Sequence, residues 1–77
     1  MSSNETQTER SMIIFVNGQE TQISKGHTAH DLLLDLGFET RPVAVEVNKE
    51  VIPRALLPSR VLCEHDQIEV VTLVGGG

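Results

Sequence analysis

The sequence predicts an α+β fold: a mixed sheet of four to five strands with one helix packed across one face. Three observations carry this expectation. Apolar residues alternate with others in Val43, Ala44, Val45, Glu46 and Val47 and again from Gln67 to about Leu73, the two-residue period of a half-buried strand. Ala29, Leu32, Leu33 and Leu36 recur at the i, i+3, i+4, i+7 spacing of one helix face. Asn17-Gly18 is the dipeptide that accepts positive φ at both centres of a type I′ hairpin turn.

Taken in order, Met12 to Val16 (MIIFV) is a strand by its β-favouring residues, and Glu20 to Ile23 is the second arm of a hairpin closed by Asn17-Gly18. Lys25-Gly26 breaks that arm. Thr28 followed by Asp31 makes a capping box at the helix start. Gly37 stands where a left-handed residue ends the helix, placing Phe38 within reach of Leu33 as in a Schellman motif. Arg41-Pro42 holds the chain extended before Val43–Val47, and Asn48-Lys49 turns it into a brief Val51-Ile52 strand that Pro53 confines to an edge. Pro58-Ser59 is expected in a loop without regular structure, and the last strand starts at Gln67.

With 77 residues and 8.5 kDa, the chain holds one small domain. Residues 1–11 read as a disordered polar extension, 12–74 as the domain and 75–77 as a flexible glycine tail. Two Phe and no Tyr or Trp leave a thin core of Leu, Ile and Val. A single cysteine, Cys63, forms no internal disulfide, which favours a reducing compartment. Six Lys and Arg against eleven Asp and Glu give a net charge of −5, which argues against nucleic acid or an anionic membrane as the main partner. The longest apolar run, Met12 to Val16, is far short of a membrane span. No basic segment followed by an apolar one opens the chain, so a cytoplasmic location is expected.

Alternation divides the sheet residues between two faces. Met12, Ile14, Val16, Ile68, Val70 and the row of Val43, Val45 and Val47 face the helix, leaving Ile13, Phe15, Val71 and Leu73 on the other side. Read blandly these four are scattered surface hydrophobics; read functionally they form a docking patch beside the end of the chain. The chain closes Val74-Gly75-Gly76-Gly77. Three glycines have no use in a packed core and are ordinarily a frayed end. They also let a backbone carboxylate enter a channel too narrow for any side chain.

The order of elements and the ending together resemble the β-grasp sulfur carrier proteins, most closely the thiamine-biosynthesis sulfur carriers. Ile14-Phe15-Val16-Asn17-Gly18, "TAHDLLLDLG" from Thr28 to Gly37, "VAVEVNKEVIPR" from Val43 to Arg54 and "HDQIEVVTLVGGG" from His65 to Gly77 carry the likeness, which spans Met12 to Gly77. The family commonly has Asn-Gly where Asn48-Lys49 stands and Gly-Asp where His65-Asp66 stands. The resemblance implies a ubiquitin-like β-grasp fold and a chain that is a substrate, not an enzyme. Its Gly77 carboxylate would be adenylated by an adenylating activating enzyme that uses ATP and Mg²⁺, with Gly75 and Gly76 threading into that partner. A sulfur donor such as a cysteine desulfurase would convert it to a thiocarboxylate, and thiazole synthase would receive the sulfur. No cofactor is expected on this chain itself. Two alternatives are a ubiquitin-like interaction module without tail chemistry and a molybdopterin-type carrier.

Other chemistry-bearing residues have plainer roles. Cys63 lacks a CxxC partner or a basic neighbour and reads as a semi-buried structural cysteine. His27, His30 and His65 suit turn and cap positions better than a metal. Asp31, Asp35, Glu39, Glu46, Glu50, Glu64 and Glu69 form a solvated acidic surface, whose functional reading is complementarity to a basic groove on the activating enzyme.

Overall fold

The structure is a computed structural model that describes residues 10–38 and 41–73. The first nine residues of the expected extension, Glu39, Val74 and the glycine tail lie outside the described residues. Strand β1 (Ser11–Val16) and β2 (Gln19–Ser24) form an antiparallel hairpin. Helix α1 (Ala29–Leu36) follows, then β3 (Val43–Val47) and the two-residue β4 (Glu50–Val51). A 3-10 helix (Arg54–Ser59) leads to β5 (Gln67–Thr72). The sheet order is β2-β1-β5-β3-β4, with β5 parallel to β1 and antiparallel to β3. Two hairpins thus flank a central last strand and α1 covers one face, the ubiquitin-like β-grasp.

Local sequence sets the boundaries. Asn17 and Gly18 both have positive φ, as a type I′ turn requires. At the start of α1 the Asp31 amide donates to the Thr28 hydroxyl while the Thr28 amide donates to the Asp31 carboxylate, a complete capping box. At its end Gly37 is left-handed; the Phe38 amide reaches Leu33 O at 2.9 Å and the Gly37 amide reaches Leu34 O at 3.1 Å, the two bonds of a Schellman motif.

The core is one cluster of Ile14, Val16, Ile23, Ala29, Leu32, Leu33, Val45, Val47, Ile68, Val70 and their neighbours. It matches the expected inward row, with one correction. Leu36, expected on the buried face, is 40% exposed. The Schellman turn folds Phe38 back against the core, so the end of the helix's inward face is covered by Phe38 and Leu36 is left at the rim.

Three boundaries also move. β1 begins at Ser11, inside the expected extension, because Ser11 is in register with Ser24. β4 is Glu50–Val51 rather than Val51-Ile52: Ile52 is buried and donates its amide to Val45 O at 2.9 Å. The segment around Pro58-Ser59 is helical, not irregular. Pro53 opens this 3-10 helix with an extended conformation, and Leu57 anchors it in the core. Six residues with one inward side chain carry no periodic signal, which is why the pattern of residues does not reveal it.

The central strand outruns its neighbour β1, whose last register pair is Val16 with Ile68. Beyond that point the chain turns away, and the Asn17 side chain takes over the ladder. Its Oδ1 accepts from the Val70 amide at 2.9 Å and its Nδ2 donates to Val70 O at 3.3 Å, while its own amide donates to Ile68 O at 2.8 Å. On the other edge Asn48, also at positive φ, does the same lower down. Its amide donates to Gln67 O at 2.7 Å and its Oδ1 accepts from the Gln67 amide at 2.9 Å. Asn48 Nδ2 donates to Asp66 Oδ1 at 2.9 Å, and Asp66 Oδ2 accepts from the Cys63 amide at 2.8 Å. Asp66 is thereby buried with both oxygens paired.

Asn17→Ala strips both partners from Val70 and is expected to cost about 2 kcal/mol in urea unfolding, the scale of stranded backbone polar groups. Asn17→Asp keeps the acceptor and is expected to lose less. Leu36→Gln is expected to stay within about 0.5 kcal/mol of the parent, whereas Leu32→Ala costs about 3 kcal/mol.

Candidate functional site

The site is the open face of the sheet and the end of β5. Outward residues follow from register: Ile13 and Phe15 on β1, Gln67, Glu69 and Val71 on β5, Ala44 and Glu46 on β3, and Val51 on β4. No element covers them among the described residues. Val71 and Leu73 are 55% and 52% exposed, while Ile13 and Phe15 are half-buried. Phe15 stacks on the His65 ring at 6.3 Å between centroids.

The four residues singled out in the sequence do not form one patch. Phe15 lies beside Gln67, and Val71 is four residues further along β5, about 13 Å away at strand rise. Two apolar ends result, Ile13 with Phe15 and Val71 with Leu73, separated by polar ground. Ala44, in register with Val71, extends the second end, whereas Val51, in register with Glu46, stands level with the ground between the ends. Sequence reading did not single these two out. Ala44 has the alternation of its strand as a signal, but only strand pairing places it beside Val71.

The middle ground is acidic. Glu46 and Glu69 stand directly opposite each other on β3 and β5, a like-charge pairing that costs stability in a sheet. They line a shallow hollow of about 560 Å³ together with Gly18, Asn48, Lys49 and Gln67. The face therefore pairs two apolar anchors with a negative centre, which suits a partner of opposite pattern.

Strand β5 leads to the carboxyl end. The Leu73 amide donates to Pro42 O at 2.9 Å, so the chain leaves the sheet fastened to the start of β3. Gly75, Gly76 and Gly77 lie outside the described residues.

The remaining candidates find ordinary places. Cys63 is exposed, not semi-buried; its backbone is engaged by Asp66, the amide donating to the carboxylate and the carbonyl accepting from the Asp66 amide, while the following turn at left-handed His65 carries the side chain outward. His27 Nε2 contacts Asp35 Oδ2 at 2.8 Å, His65 Nε2 lies 3.5 Å from Glu64 Oε2, and His30 is exposed. Glu64 accepts from the Ile13 amide at 3.2 Å, and Glu50 lies 3.6 Å from Arg60. Asp31 is held below the usual carboxylate range chiefly by the Thr28 amide, opposed in part by desolvation, with lesser lowering from the Thr28 hydroxyl and from His27 and His30. That carboxylate is a helix cap rather than an acid catalyst. No helix among the described residues is long and apolar enough to cross a membrane.

Comparison with known proteins gives one consistent result. The family model described as the ThiS family matches residues 7–77. A thiazole synthase of Magnetococcus marinus is 47% identical over 66 residues, covering 86% of this chain but 20% of that protein. The chain thus spans about a fifth of the length of that relative. The sulfur carrier protein ThiS of Bacillus subtilis is 40% identical over 63 residues, covering 80% of this chain and 96% of the relative. Among solved structures, the thiamine biosynthesis protein ThiS of Geobacter metallireducens superposes with a TM-score of 0.74 at 28% identity, covering 86% of this chain and all of that one.

Two measurements check the electrostatics. Glu69→Gln is expected to raise stability by about 0.5 kcal/mol at low salt by removing the charge opposite Glu46, with the gain shrinking as salt is added. Because folding lowers the Asp31 pKa, its stabilisation is present above the unfolded carboxylate value and disappears as pH falls through the lowered one. The stability advantage of the parent over Asp31→Asn, followed by urea midpoint, is therefore expected to hold at neutral pH and fade in acid.

Proposed function

The chain belongs to the ThiS family, whose members carry sulfur in thiamine biosynthesis, and from that premise we propose that its Gly77 carboxylate is the group that bears the sulfur. The reading is carried by one observation above the others: the family match extends to residue 77, so its span includes the glycines that no packed core would use. The fold supports it by fastening β5 on both edges as far as Val70 and on the β3 edge as far as Leu73, so that the handle begins immediately beyond a fixed point.

A free carboxylate does not exchange oxygen for sulfur, because the group expelled would be oxide. Attack of a Gly77 oxygen on the α-phosphorus of ATP expels pyrophosphate and makes that oxygen part of a leaving AMP. The activating enzyme supplies Mg²⁺, phosphate contacts and alignment; this chain supplies the carboxylate and a tail with no side chains to obstruct a narrow channel. The terminal sulfur of a protein persulfide, from a donor such as a cysteine desulfurase, then attacks the Gly77 carbonyl and AMP departs. A second thiol cleaves the resulting acyl disulfide, leaving the thiocarboxylate and a disulfide on the donor side. Transfer to thiazole synthase is supported by the segment of about this chain's size found within the Magnetococcus marinus protein of that name.

The open face is the surface that the activating enzyme grips. Ile13 and Phe15 at one end and Val71 and Leu73 at the other supply apolar contact, and Glu46 with Glu69 steers a basic groove toward them.

Incubation with ATP, the cognate activating enzyme and a cysteine desulfurase is expected to raise the intact mass by the exchange of one oxygen for sulfur. A variant with one alanine added after Gly77 is expected to fold normally and gain nothing; sulfur uptake by that variant without trimming would sink the reading. Glu46→Gln/Glu69→Gln is expected to slow association with the activating enzyme about tenfold at low salt, with the difference closing at high salt.

A further inference from the structure

On the helix side of the sheet, a hollow of about 150 Å³ opens between α1, the start of β3 and the 3-10 helix. Leu33, Phe38, Val43 and Leu57 line it, and among the described residues every ionisable group at its wall is basic: His30, Arg41 and Arg54. Among the described residues neither arginine forms an ion pair, whereas Arg60 does with Glu50. In a chain of net charge −5, two unpaired guanidiniums around an apolar recess are complementary to a single anion with little bulk behind it.

The carboxyl end of the same chain fits that description and begins next door. Val43, a wall of the hollow, is in register with Thr72, and the Leu73 amide is bound to the carbonyl of Pro42, between Arg41 and Val43. Four residues remain, Val74 to Gly77, with a reach of about 14 Å. Three of them are glycines, free to reverse direction. The other end of the chain is poorly placed. Ser11 lies five residues before Val16 and Leu73 five after Ile68, the residue paired with Val16, so the two ends of the sheet are roughly 33 Å apart.

We propose that the Gly77 carboxylate docks intramolecularly in this hollow, held by Arg41 and Arg54. A tether this short gives an effective concentration in the millimolar range, so a pocket with an intrinsic dissociation constant near or below that value keeps the end docked for half the time or more. A docked end has to leave before it can enter a partner's channel. The contact and that consequence both rest on the proposed reading of Gly77 as the end that carries a free carboxylate.

The test is nuclear magnetic resonance of the full 77-residue chain in three forms: the parent, Arg41→Gln/Arg54→Gln, and the chain with its Gly77 carboxylate converted to an amide. Amidation is expected to shift the amide signals of Leu33, Phe38 and Val43, far from the altered group in sequence. The double variant is expected to move the Gly76 and Gly77 signals to those of a free glycine peptide. Pocket signals unmoved by amidation overturn the proposal. Shifts that grow with protein concentration also overturn it, since they mean the end of another copy. If the double variant fails to fold, amidation of the parent decides alone. None of these readouts involves sulfur, so failure here leaves the carrier reading standing, and the reverse.

Discussion

Strand β5 must be hydrogen-bonded along both edges although its neighbours do not run far enough to do it alone, and two asparagine side chains close the gap. Asn17 pairs with Val70 on one side and Asn48 with Gln67 on the other. Each sits at a turn with positive φ, a conformation that asparagine tolerates better than most residues, and each presents an amide that imitates a backbone unit. The two hairpins are thereby tied to the strand between them. Without those ties the last strand would carry unpaired polar groups at the places where the fold needs it rigid.

The position of the carboxyl end follows from this constraint. Among the described residues β5 is the last strand in sequence and the middle strand in space, so the chain leaves the sheet at Leu73 from the rim of the most firmly held element. The handle proposed at Gly77 benefits from a fixed base, because effective concentration and direction are set where the tether starts. Among the described residues one α-helix covers one face of the five strands and leaves the other open, and that face carries a cost: Glu46 opposite Glu69 is a like-charge pairing that lowers stability. The two sides of the sheet also differ in sign, with Glu46 and Glu69 on the open face and Arg41 and Arg54 on the helix side.

Much of the architecture is legible in the residues because its signals are local. The Asn17-Gly18 turn, the Thr28 and Asp31 capping box, the Gly37 termination and the inward rows of β1, β3 and β5 each depend on side chains within a few positions of one another. What escaped depends on partners distant in sequence. Leu36 has the spacing of a core residue and is exposed because Phe38 folds over the end of the helix. Cys63 has the character of a core residue and is exposed because its turn is organised by Asp66 and Asn48. Of the site, Ile13, Phe15, Val71 and Leu73 are readable as outward by alternation, yet their division into two ends required the offset between β1 and β5.

The sequence by itself determined the elements, their caps, the row of residues each buries and the unusual glycine ending, since period and turn chemistry act over short stretches of chain. Tertiary structure decided the offset of β5 against β1, the use of Asn17 and Asn48 as ladder rungs, the Glu46 and Glu69 juxtaposition and the arginine-rimmed hollow. These depend on which strands become neighbours and in what register, and a pairing as distant in sequence as Val16 with Ile68 leaves no periodic trace in either segment.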